Sequence, residues 1–128
     1  MMRQNLKRIF LWVLFVFYNG LLIRASLLPY KDLPPSLRDV NEFFLHAFNY
    51  FLFFIFARIV FEYGGVKKIQ SHSFFLAALW CFVTGILLEW AQTFVPGRSA
   101  SWDDAAANVA GISLGAGFYY FRKRGKNI

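Results

Sequence analysis

Charge is scarce in this chain, and cysteine scarcer. Only 16% of its 128 residues are Asp, Glu, Lys or Arg, against about 25% in a typical soluble domain. Cys81 is the sole cysteine, which excludes an intramolecular disulfide and a four-thiolate metal site. It lies inside an apolar run and reads as a small buried hydrophobe. Acidic residues number 7 against 14 Lys and Arg, a net charge of +7. Internal repeats and low-complexity tails are missing. The low hydrophobicity that marks disorder is missing too.

What fills the chain instead is apolar. Hydrophobic residues make up 58% and aromatics 21%, with 17 Phe, 6 Tyr and 4 Trp. The length suits one domain over residues 1–128. A soluble domain of that size buries only about 60–70% of its surface on folding, too little to hide so many aromatic rings. A membrane solvent accommodates them. In a soluble chain the basic excess would suggest nucleic acid. Here the cations flank apolar runs, where they set topology and meet anionic lipid headgroups, so membrane lipids are the expected partners and nucleic acid is not.

The pattern predicts an all-α fold, an integral membrane bundle of four helices. A helix needs about 20 residues to cross the hydrocarbon core, and four stretches qualify: about 7–28, 43–61, 74–95 and 105–121. Breakers separate them: Pro29 and Pro34-Pro35, Gly64-Gly65, and Pro96-Gly97. The first stretch has the basic start of a signal peptide, but Ile23-Arg24-Ala25-Ser26 is a poor cleavage site, so it is read as a retained span. Lys and Arg concentrate at the N-terminal end, in the loop carrying Lys67 and Lys68, and in the C-terminal tail, with fewer on the opposite side. The positive-inside rule then places both termini in the cytoplasm. Six of the seven acidic residues fall toward the outer side, Glu62 being the exception.

Polar residues within the spans converge on one depth. Glu89 and Gln92 share a face of the third span. Glu42, His46, Asn49 and Tyr50 form one stripe of the second. Asp104 and Asn108 are one turn apart on the fourth, and Tyr18 and Asn19 lie toward the outer end of the first. Ionisable groups in hydrocarbon cost about 2.5–3.5 kcal/mol on insertion scales, so such residues need partners or water. The economical arrangement is a shared pocket open to the outer surface and gated by Arg98. Blander readings exist for several. Ser101 and Asp104 fit a capping box. Asp103 suits the helix dipole in a first turn. Arg98 could meet phosphate headgroups, and Asn108 could be interhelical glue. Arg58 and Glu62 could pair and snorkel near the cytoplasmic end. Gly111 and Gly115 allow close packing and offer weak support for a homo-oligomer.

The spacing Glu89-x-x-Gln92-x-x-x-Pro96-Gly97-Arg98, continued by Asp104, Asn108, Gly111 and Gly115, resembles the signature of the VanZ-like family of small bacterial membrane proteins. That family also shows an Asp-Lys-x-x-His-x-x-x-Tyr segment opening its second span. His46 and Tyr50 match it, while Glu42 and Phe43 stand where Asp and Lys would be. The resemblance covers about residues 40–117. It implies a four-span, multi-pass protein of the bacterial cytoplasmic (inner) membrane, in a family linked to teicoplanin-type glycopeptide resistance and with no firmly assigned reaction.

Three functions compete. The first is binding of an anionic lipid-linked envelope molecule, such as a cell-wall precursor, by Glu89, Gln92, Arg98, Asp104, Asn108, His46 and Tyr50. Arg98 would hold the anion and the carboxylates would orient Arg98 and His46. The second is an intramembrane enzyme with His46 or Glu89 as general base and Arg98 stabilising negative charge. No Ser or Cys nucleophile sits convincingly beside a base, so the expectation leans away from catalysis. The third is a structural assembly partner. No cofactor is expected. A metal on His46, Glu89 and Asp104 is conceivable, but one His with scattered carboxylates is weak, and none is expected.

Overall fold

A computed structural model describes residues 1–127, and 82% of the chain is helix with no strand among the described residues. The elements are α1 (Met2–Leu27), a single 3-10 turn (Tyr30–Asp32), α2 (Pro35–Arg38), α3 (Glu42–Tyr63), α4 (Lys67–Ser71), α5 (Ser73–Gln92) and α6 (Trp102–Gly125). Successive long helices run antiparallel. At one end Trp12 of α1 donates to the Gly64 carbonyl beyond α3, 3.0 Å away. At the other, the C-terminus of α1 meets the C-terminus of α5.

Three of the four long helices, α1, α3 and α5, are long and apolar enough to cross a membrane by length and composition. At 1.5 Å per residue the 22 residues of α3 reach about 33 Å, comparable to the ~30 Å hydrocarbon core. Their outward faces carry large exposed apolar side chains, among them Phe10, Val16, Phe75 and Leu87. Such a continuous apolar exterior suits hydrocarbon rather than water.

The fourth helix differs from the expected span of 105–121. It is longer, 24 residues, yet it is not among the apolar three. Its sequence is rich in Ala and Gly, and Asp104 and Asn108 are buried in it. That composition serves packing. α6 makes its most extensive contact with α3, where Gly111 lies against the backbone of Ala47 and Phe51, and Gly115 against Phe54. These two glycines are therefore spent inside the chain, and they present no free face to a second copy.

The core lies between α3, α5 and α1, built from Phe15, Phe53, Phe54, Ala57, Val60, Ala77 and Cys81. Cys81 is fully buried, as its place in an apolar run implies. α5 stops at Gln92 rather than at Val95. The Thr93 hydroxyl donates back to the Trp90 carbonyl (2.6 Å), and the chain then enters a turn closed by Arg98 N–H to the Val95 carbonyl at 3.1 Å. Pro96 occupies the second position of that turn and Gly97, at φ +75°, the third, the arrangement of a type II turn. The turn delivers Arg98 to the end of the bundle.

Candidate functional site

The site begins with a helix cap. Ser101 starts α6, and its hydroxyl accepts the N–H groups of Asp103 and Asp104 at 3.1 and 3.4 Å. In a capping box the third helical residue would reach back to the N-cap N–H. Here the Ser101 N–H is instead taken by the Glu89 carboxylate of α5, across 3.4 Å. The Asp104 side chain accepts no hydrogen bond from the described residues and turns inward, so capping is not its role.

His46 of α3 stands between the two carboxylates. Its Nδ1 lies 3.9 Å from Glu89 Oε1, and its Nε2 lies 3.9 Å from Asp104 Oδ2. Among the described residues its one hydrogen bond is between Nδ1 and Asn108 Oδ1, at 2.9 Å. With the Asn108 amide oxygen as acceptor, the Nδ1–H tautomer matches this contact. In the neutral ring of that tautomer Nε2, the nitrogen on the Asp104 side, keeps its lone pair. Ligand atoms from His46, Glu89 and Asp104 all lie within 4.8 Å of one another. The imidazole and the two carboxylates, expected to be scattered, are gathered from three different helices. Both are buried, Glu89 and Asp104 at 8% exposure each.

A second group sits at the end of α1. Gln92 Nε2 and Arg98 Nη2 both donate to the Ser26 carbonyl, at 2.9 and 3.2 Å. Carbonyls in a helix's last turn have no internal partner, and a cation there also complements the helix dipole. The expected pairing of Arg98 with Glu89 or Asp104 is not formed: Arg98 makes no ion pair among the described residues. Tyr50 is buried deeper, and its ring and the Asn108 amide converge on Gly85. Glu42 is exposed at the rim rather than part of the cluster.

Both groups border one open pocket of about 650 Å³. Its lining includes the polar His46, Asp104, Gln92 and Arg98 and the apolar Leu21, Leu22, Leu37, Leu45 and Leu52. Glu89 and Asn108 stand behind it. Sequence reasoning missed Ser26, whose contribution is a backbone carbonyl and carries no side-chain signal. It also missed the Tyr18 hydroxyl donating to Asn49 Oδ1 at 2.9 Å, although both residues were in the stripes. At the opposite end of the bundle, Arg58 does not snorkel. Its side chain is buried, paired with Glu62 at 2.9 Å, bonded to the Tyr119 hydroxyl, and its guanidinium carbon lies 4.2 Å from the Tyr119 ring centre.

Long apolar helices enclosing a His–carboxylate–amide cluster beside an open pocket define a helical protein of membrane type with a polar site between its helices. The chain belongs to the VanZ/LLP1 family, whose model matches residues 2–123. No curated protein and no solved structure matches it.

Proposed function

We propose that the protein is a four-span envelope protein whose outward-facing pocket binds an anionic lipid-linked molecule. α6 completes the bundle as the fourth span, shielded by α3 along its Ala- and Gly-rich face. Both termini lie in the cytoplasm of a bacterial cell, a reading that the distribution of Lys and Arg supports. The pocket then opens at headgroup depth on the outer side.

The observation that carries this reading is the pocket's mixed lining. The Arg98 guanidinium, the His46 imidazole and the Gln92 amide border the same open space as Leu21, Leu22, Leu45 and Leu52. That combination suits an amphiphile: a charged head held by Arg98, and a hydrocarbon tail along α1 and α3. Family membership supports a link to teicoplanin-type glycopeptide resistance, through a lipid-linked cell-wall precursor. The test is binding of a fluorescent long-chain lipid phosphate to purified protein. Arg98→Ala should weaken it at least about tenfold, the loss of a charge-assisted hydrogen bond; unchanged affinity would refute the assignment.

A second reading, an intramembrane enzyme, is favoured by one observation. The Asn108 contact favours the Nδ1–H tautomer of His46, a residue that lines the pocket, which leaves Nε2 unprotonated as a general base needs. Envelope lipids from cells carrying wild-type or Glu89→Gln protein would differ under this reading, and identical profiles would exclude it.

A further inference from the structure

The polar cluster has an imbalance of charge. Two buried carboxylates, Glu89 and Asp104, flank His46, and the Arg98 guanidinium, which donates one N–H to the Ser26 carbonyl, forms an ion pair with neither among the described residues. Glu89 accepts a single 3.4 Å hydrogen bond from the described residues, and Asp104 accepts none. Buried carboxylates left this way are costly unless a cation compensates them. Neither lies within hydrogen-bonding distance of His46, since both separations are 3.9 Å. The space between the three side chains is wider than a direct contact. One donor atom from each of the three side chains lies within 4.8 Å of the others, against roughly 3.4 Å between ligands of a tetrahedral ion with ~2.1 Å bonds. An ion there would draw the Glu89 and Asp104 side chains inward.

The histidine supplies an independent sign. Metal-binding imidazoles characteristically donate their second ring N–H to a fixed acceptor, which sets the tautomer and the ring orientation. His46 does this: Nδ1–H goes to Asn108 Oδ1 at 2.9 Å, and Nε2 is left with its lone pair toward Asp104. We infer that His46, Glu89 and Asp104 bind a divalent first-row metal ion such as Zn²⁺ or Mn²⁺. One nitrogen and two carboxylate oxygens form a donor set of intermediate hardness, suited to such ions more than to Ca²⁺ or to soft, thiolate-seeking metals. Three protein ligands leave a coordination position open. His46 and Asp104 line the pocket, so that position is reached from it, by water or by an oxyanion.

The site stands on these three side chains and does not depend on the lipid reading. An ion there would, however, reverse the sign of the pocket floor, where two carboxylates outnumber one guanidinium, and so make an anionic head welcome.

The test uses tag-free protein in detergent, dialysed against Zn²⁺ or Mn²⁺, with bound metal measured by mass spectrometry. Wild-type protein should hold close to one ion per chain. Asp104→Asn and Glu89→Gln should bind at least about tenfold more weakly, by the scale on which metal sites respond to lost partners. Asp103→Asn, which removes an exposed carboxylate one residue away, should bind like wild type. Glu89→Gln keeps an acceptor for the Ser101 N–H, so it guards against loss through misfolding. With Mn²⁺ bound, electron paramagnetic resonance should show nitrogen coupling that His46→Gln removes. Absence of binding by the wild type, or equal binding by wild type and both cluster variants, overturns the inference. Arg98→Ala separates it from the lipid reading: that variant should keep its metal while losing the lipid phosphate.

Discussion

The Glu89 carboxylate accepts the N–H of Ser101 across 3.4 Å, so a side chain from α5 caps the start of α6. Gln at position 89 can still accept that hydrogen bond, whereas Ala leaves a half-buried N–H unpaired, at a cost of about 1–3 kcal/mol. Thermal unfolding in detergent, followed by circular dichroism, should show Glu89→Gln near the wild type and Glu89→Ala clearly lower. Equal melting of the two variants would mean that the contact does not hold α6 in place.

Gly111 and Gly117 lie on the same helix in opposite circumstances. A Cβ on Gly111 would collide with the Ala47 carbonyl oxygen, while one on Gly117 would meet nothing within 4 Å. Gly111→Ala should lower the melting temperature by forcing α6 from α3, at a cost of about 1–3 kcal/mol. Gly117→Ala should leave stability unchanged or raise it by up to about 1 kcal/mol through helix propensity. A harmless Gly111→Ala would contradict the close packing of the two helices.

The Arg58–Glu62 pair is asymmetric, with 7% side-chain exposure on Arg58 and 34% on Glu62. Removing the acid leaves a buried guanidinium without its counter-charge, and Arg58 Nε already lacks a partner among the described residues. Glu62→Ala should therefore destabilise more than Arg58→Leu, which removes the charge itself. Chemical unfolding of both variants in the same detergent decides the order, and the reverse order would contradict this account of the buried guanidinium.

Topology can be read by thiol labelling. Cys81 is fully buried and should not react in intact cells. Ser99→Cys, on the exposed Arg98 turn, should be labelled from outside by a membrane-impermeant maleimide. Lys126→Cys should react only after permeabilisation. Labelling of Lys126→Cys in intact cells would invert the orientation drawn from the Lys and Arg distribution.

Much of this architecture is legible in the sequence because hydrocarbon imposes simple rules. Four long helices follow from run length and breakers, and the convergence of His46, Glu89, Asp104 and Asn108 follows from antiparallel helices that place polar stripes at one depth. The ends of helices were less legible. α5 stops three residues before the expected Val95 because a side-chain hydrogen bond and a Pro-Gly turn intervene, which hydropathy does not register. The partner of Arg98 was hidden for another reason. Charge complementarity pointed to Glu89 and Asp104, whereas the geometry gives the guanidinium to Ser26, a backbone carbonyl that any residue would supply. The capping box was recognised in the residues Ser101 and Asp104, but half of it is supplied by Glu89 from 12 positions earlier in the chain.

The central claim is that the pocket holds the head of an anionic lipid, and a high-resolution structure of the protein with a bound long-chain lipid phosphate tests it most directly. The account predicts density for the phosphate within hydrogen-bonding distance of Arg98, with its tail along the leucines of α1 and α3. A lipid phosphate bound elsewhere, with the pocket holding only solvent, would contradict it.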